Sequence, residues 1–200
     1  MGLDFQDNTL AVSEQEWRKA LRREMLARRA ALTPAEHAAL SARICRHLIA
    51  DLPQLTGLTV GFCWPIKNEP DVRAALAVWA GLGGRAALPV VIADDAALAF
   101  RAWTPTTLLA PDCHHIPTPT SGDWLTPDAL LLPLNAFDAA GYRLGYGGGY
   151  FDRTLAALDP RPLAVGVGFE INRVASIRPQ AHDQRLDWIV SEEGAHPVER

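Results

Sequence analysis

The chain has 200 residues, 48% hydrophobic and 21% charged, the make-up of an ordinary folded protein. That excludes a disordered chain, a collagen-like repeat and a disulfide-dense miniprotein. Nineteen Lys and Arg against 23 Asp and Glu leave a net charge of −4, which argues against a nucleic-acid binder.

Residues 1–12 read as a flexible N-terminal tail without a basic-then-apolar leader pattern. Ser13-Glu14-Gln15-Glu16 forms a capping box, so a first helix is predicted to start there. Trp17, Leu21 and Met25 then recur at i, i+4 and i+8, one apolar stripe. Arg18 and Arg22 fall on its polar face, where charges are ordinarily solvated. Thr33-Pro34-Ala35-Glu36 opens a second helix, continued by Leu40, Ile44 and Leu48 towards Asp51.

Residues 58–64 are a short β-rich run ended by Pro65 and predict a buried strand. Ile66-Lys67-Asn68-Glu69-Pro70 leads to Asp71, the expected N-cap of a helix through about residue 80. Strands are predicted over 85–91 and 97–103, with a turn at Asp94-Asp95. Residues 104–127 show little periodicity and read as a long loop of the lid or binding type. A buried strand over 129–133, a helix over 150–158 and strands over 163–169 and 188–191 complete the pattern. This alternation predicts a single α/β domain over 1–200, with a mostly parallel sheet flanked by helices in three layers and two helices ahead of it.

Cys45, Cys63 and Cys113 are odd in number and lie at no zinc spacing, as expected for a reduced, cytoplasmic chain. No apolar run approaches the ~20 residues of a membrane span. His114-His115 lacks a second cluster to make it a metal site.

The richest segment is Arg143-Leu144-Gly145-Tyr146-Gly147-Gly148-Gly149-Tyr150-Phe151-Asp152-Arg153, between a buried strand and a helix. Glycines let successive backbone N–H groups converge on phosphate oxygens, and the helix that follows aims its amides at the same point. Arg143 offers a bidentate phosphate contact, and Asp152 is a hard oxygen ligand of the kind Mg²⁺ prefers. The segment is neither a P-loop nor a dinucleotide fingerprint, since no Lys-Ser/Thr pair follows and Tyr150 stands where a third Gly belongs. A glycine-rich turn with nothing bound, Arg143 merely pairing with Asp152, is the other way to read it.

These residues closely resemble the RLGxGxGYYD signature of the 5-formyltetrahydrofolate cyclo-ligases (methenyltetrahydrofolate synthetases), with the preceding FD pair matched by Phe137-Asp138. The resemblance covers most of the chain. Arg18-Lys19-Ala20-Leu21-Arg22 is similar to the family's KxxLR helix, residues 64–71 to its first strand and loop, and His182-Asp183-Gln184-Arg185-Leu186-Asp187 to its HDxxLD tail. Differences fall at Arg18, where the family has a lysine, at residues 114–119, and at Asn172, where a Gln is common.

The resemblance implies ATP- and Mg²⁺-dependent conversion of 5-formyltetrahydrofolate into 5,10-methenyltetrahydrofolate, with release of ADP and phosphate. The formyl oxygen takes the γ-phosphoryl group, N10 closes the ring and phosphate departs. By the same resemblance, Arg18, Lys19, Arg22 and the loop residues Arg143, Leu144, Gly145, Gly147, Gly148, Gly149, Tyr150 and Phe151 bind ATP. Trp64, Glu69 and Tyr146 contact the folate, Arg143 and Tyr146 are catalytic, and Asp152 and Asp183 hold Mg²⁺. The expected partners are a reduced folate and ATP, with no nucleic acid, no membrane, and a monomer or weak homo-oligomer. A related ATP-dependent enzyme on another pterin-like substrate, or a non-catalytic folate- or nucleotide-binding module, is the alternative.

Overall fold

Both N-terminal helices start at their caps. A computed structural model of the chain describes residues 13–199; the tail expected over 1–12 lies outside them. α1 (Glu14–Ala30) begins at a full Ser13/Glu16 capping box, and α2 (Pro34–Asp51) at a Thr33/Glu36 box with Pro34 in its first turn. A 3₁₀ turn (Pro53–Leu55) leads to β1 (Thr59–Phe62).

α3 (Arg73–Gly81) starts later than expected, with Val72 at its N-cap and no side-chain cap. Asp71 stands one residue before the cap: its Oδ1 accepts from the first helical amide, Arg73 N, at 3.1 Å, and Oδ2 pairs with the Arg73 guanidinium at 2.6 Å. β2 (Arg85–Val90) and β3 (Ala99–Trp103) then pair antiparallel. The expected loop over 104–127 contains three short strands. β4 (Leu109–Pro111) and β5 (Pro117–Pro119) make a ribbon, and β6 (Trp124–Leu125) adds to the edge at β3.

β7 (Ala129–Pro133) follows, then β8 (Ala136–Phe137) paired with β9 (Arg143–Leu144), and α4 (Tyr150–Ala157). β10 (Leu163–Val167), a 3₁₀ turn (Glu170–Asn172), β11 (Trp188–Ser191) and an unexpected β12 (Gly194–Pro197) close the chain.

Among the described residues, the main sheet has the order β12-β11-β10-β7-β1-β2-β3-β6. Its centre, from β11 to β2, is parallel, while β12, β3 and β6 run antiparallel at the edges. Alternate residues face opposite layers, as the strand period requires. Ala129 and Leu131 pack with Ile44 and Leu48 of α2 and Leu76 and Trp79 of α3. Leu130 and Leu132 pack with Leu155 of α4 on the opposite face. The result is the expected three layers. α1 contributes Met25 to a smaller cluster with Ala136, Leu144 and Ile177, so it docks at the strand ends rather than on a sheet face.

Candidate active site

β1 is the topological pivot. The chain leaves it through α3 to β2 on one side and later returns as β7 on the other. In open α/β sheets, ligands sit outside the carboxyl ends of strands at such a switch. A cleft of about 860 Å³ lies there, its wall including Trp64 beyond β1, Pro89 and Val91 at the end of β2, and Pro133 of β7. That is within the ~300–1,000 Å³ usual for ligand sites.

The glycine-rich loop forms one side. Gly147 and Gly149 have φ of 103° and 66°, backbone that a side chain disfavours. Gly149 is the N-cap of α4 and supplies no side-chain cap, leaving first-turn amides free to face an anion. Arg22 Nε donates to Gly145 O at 2.8 Å, and its guanidinium lies over Gly147. Burial and the neighbouring Arg18 lower the Arg22 pKa. Arg18, expected on a solvated face, is 7% exposed. It donates to Asp183 Oδ2 and to Arg178 O, while its Nε stands buried without a hydrogen-bond partner among the described residues, 3.9 Å from Glu14.

Each proposed metal carboxylate has one oxygen engaged. Asp152 Oδ1 accepts from Arg143 Nη2 at 3.1 Å and Gln184 N at 2.9 Å. Asp183 Oδ2 accepts from Arg18 and from Gln180 N at 2.7 Å. Among the described residues the other oxygens, Asp152 Oδ2 and Asp183 Oδ1, take no hydrogen bond, and both residues line the cleft. No cluster of three or more His, Cys, Asp or Glu stands ready as a protein cage among the described residues. Carboxylates are the ligand type Mg²⁺ takes, one or two at a time with phosphates and water completing its shell, and Asp183 Oδ1 also has His182 Nε2 at 3.9 Å.

Across the loop, Tyr146 reaches Glu69. The phenol donates to Glu69 Oε1 at 2.6 Å, and Glu69 Oε2 accepts from Ile66 N at 3.0 Å. Burial raises the Glu69 carboxyl above its ordinary range, opposed by the bonds from Tyr146 and Ile66 and by Arg29 and Lys67. Burial, with the Glu69 charge beside it, also raises the Tyr146 phenol. Lys67 Nζ lies 4.8 Å over the Tyr146 ring, and Arg73 stacks on Trp64 at 4.7 Å.

The cleft therefore gathers Arg18, Arg22, Trp64, Glu69, Arg143, Gly145, Tyr146, Gly147, Gly148, Gly149, Tyr150, Phe151, Asp152 and Asp183. Lys19 is exposed and does not line it, and Leu144 is buried in the α1 cluster, fixing the loop from beneath. Asn172 is also structural: its Nδ2 donates to Met25 O at 3.3 Å and Asn135 O at 2.6 Å. His114 lines the cleft and meets Tyr150 edge-on. Arg29 is the residue that pattern reading passes over, although it falls four residues after Met25 on the same helix face.

Fold and cleft together define an α/β enzyme class with a glycine-rich loop lining the cleft at its switch point. The chain belongs to the 5-formyltetrahydrofolate cyclo-ligase family, whose model matches residues 14–192. It is 29% identical over 178 residues to the 5-formyltetrahydrofolate cyclo-ligase of Mycoplasma pneumoniae, covering 88% of this chain and 99% of that protein. With the enzyme of that name from Mycolicibacterium smegmatis it shares 30% over 149 residues, 69% and 75% of the two chains. Its fold is similar to the NMR structure of Aquifex aeolicus 5,10-methenyltetrahydrofolate synthetase, with a TM-score of 0.78, 26% identity and coverage of 92% and 93%. No helix among the described residues is long and apolar enough to cross a membrane.

Proposed function

We infer that this chain converts 5-formyltetrahydrofolate and ATP into 5,10-methenyltetrahydrofolate, ADP and phosphate, with Mg²⁺. One observation carries this: a single glycine-rich loop is clamped by Arg22 at Gly145, reaches Glu69 through Tyr146, and opens α4 with Asp152, all on one cleft. The loop thus joins a cationic, amide-lined end suited to a triphosphate to an apolar end with a buried carboxylate suited to a pterin.

Arg18, Arg22, Arg143 and the amides over Gly147, Gly148 and Gly149 hold the phosphates. Trp64 gives the pterin a flat wall, and Glu69 accepts from its N–H groups. Asp152 and Asp183 present their open oxygens to Mg²⁺, which supplies charge neutralisation at the phosphates when bound. Tyr146 stands between the two ends, so it sets the formyl oxygen against the γ-phosphoryl group; positioning of this kind is most of what phosphoryl transfer asks of a protein. The three free cysteines suit a reducing compartment such as the cytoplasm.

The stoichiometry tests it. With Mg²⁺ and ATP present, each 5-formyltetrahydrofolate consumed releases one phosphate, and omitting the folate stops release. Phosphate release independent of the folate points instead to a different acceptor.

A further inference from the structure

Arg29 is 1% exposed and is not part of the cleft wall, yet its guanidinium touches three segments that build the cleft. Nε donates to Lys67 O at 2.7 Å, Nη1 to Leu134 O at 3.5 Å, and Nη2 to the Tyr146 hydroxyl at 2.9 Å. Asn68 Nδ2 reaches back to Arg29 O at 3.4 Å. Lys67 and Asn68 both have left-handed backbone, φ 49° and 57°; asparagine adopts it readily, whereas a lysine there is uncommon and is held by its surroundings.

The arginine does not meet the buried Glu69 carboxylate directly. Nη2 and Oε1 are 3.9 Å apart, and the Tyr146 hydroxyl stands between them, accepting from the cation and donating to the anion. Losing Arg29 therefore frees both the phenol and the turn that leads into Glu69.

We propose that Arg29 is a positioning residue for the folate end of the cleft, locking the Tyr146 hydroxyl onto Glu69 without touching either substrate. This role rests on the cyclo-ligase assignment, which is what places Glu69 and Tyr146 against folate. Lysine is no substitute: one ammonium cannot span the Lys67, Leu134 and Tyr146 acceptors that a planar fork reaches.

Arg29→Lys, Tyr146→Phe and the double variant are compared in kinetics with each substrate varied, and in urea unfolding. Arg29→Lys raises KM for 5-formyltetrahydrofolate about tenfold, the scale outer-shell partners show, and leaves KM for ATP within about twofold. Added to Tyr146→Phe, it raises the folate KM by a clearly smaller factor than it does alone, because the bridge is already gone and only the hold on the 67–69 turn is left to lose. A purely structural arginine raises both KM values together, or acts additively with Tyr146→Phe; either result overturns the proposal. Should Arg29→Lys fail to fold, Tyr146→Phe decides from the other end of the bridge, and an unchanged folate KM in that variant overturns it. Wild-type protein inert towards the folate overturns the cyclo-ligase assignment alone. The bridge then reads in urea midpoints, which fall by less in the double variant than by the sum of the two singles; additive midpoints overturn it.

Discussion

Arg18 of the first helix and Asp183 of the HDxxLD tail form a buried ion pair at 2.5 Å, their side chains 9% and 8% exposed. The contact joins residues 165 positions apart and closes one side of the cleft. Removing Asp183 leaves buried Arg18 with Arg178 O and, at 3.9 Å, Glu14 as its partners among the described residues, a loss on the order of 3 kcal/mol. Asp183→Ala is expected to lower the urea midpoint sharply, and Arg18→Met combined with it to recover much of that loss. Additive losses in the double variant contradict the coupling.

Glu69 should make stability fall with pH. Its folded pKa is raised, with burial the leading cause, so between the ordinary value of 4.5 and the raised one the folded state binds more protons than the unfolded state. Stability from this group is thus fully present below the ordinary value and is lost as pH rises through the raised one. Arg29, Lys67, Tyr146, His37 and Cys63 surround it, so the clean measurement is a difference. Wild type minus Glu69→Gln, followed by urea unfolding, declines with rising pH across that window and then levels. A difference that climbs with pH counts against the buried carboxylate.

The loop conformation depends on Gly147. Alanine there forces a side chain onto φ of 103° and into contact with the Arg22 guanidinium at 3.5 Å. Strain on the order of 1–2 kcal/mol is expected to reshape the loop rather than unfold the protein. Gly147→Ala therefore raises KM for ATP more than it lowers the melting temperature. Unchanged ATP affinity would show that the loop amides do not hold the phosphates.

Asp152→Asn separates the structural bonds of that carboxylate from its proposed role at Mg²⁺. Asparagine Oδ1 still accepts from Arg143 and Gln184 N, so the fold is kept, while the open anionic oxygen is lost. Turnover is expected to drop on the order of 100-fold and to need far more Mg²⁺, a deficit read from a Mg²⁺ titration of the rate. An unaltered titration removes Asp152 from the metal site.

Local chemistry made α1, α2 and the central strands legible. Each capping box is a four-residue signal, and β1, β7 and β11 are short apolar runs with clear ends. β6, β8 and β9 were not legible because two residues carry no pattern, β12 because Gly-Ala-His-Pro is no apolar run, and β4 and β5 because Pro111, Pro117 and Pro119 read as loop. Asp71 looked like the N-cap but stands one residue before it, its carboxylate on the Arg73 amide and guanidinium. Of the site, the glycine loop and both aspartates could be found by motif. The burial of Arg18 and Arg29 could not, since an arginine counts as polar on any helical pattern until a distant carboxylate or hydroxyl is brought to it. Their spacing with Met25, at 18, 25 and 29, was the trace that one face of α1 holds both core and site.

The most direct measurement mixes purified protein with ATP, Mg²⁺ and 5-formyltetrahydrofolate and follows the near-ultraviolet absorption of the methenyl product. Absorption is predicted to grow in proportion to enzyme and to stop when ATP is withheld. Folded protein that yields no absorption above the enzyme-free mixture contradicts the assignment.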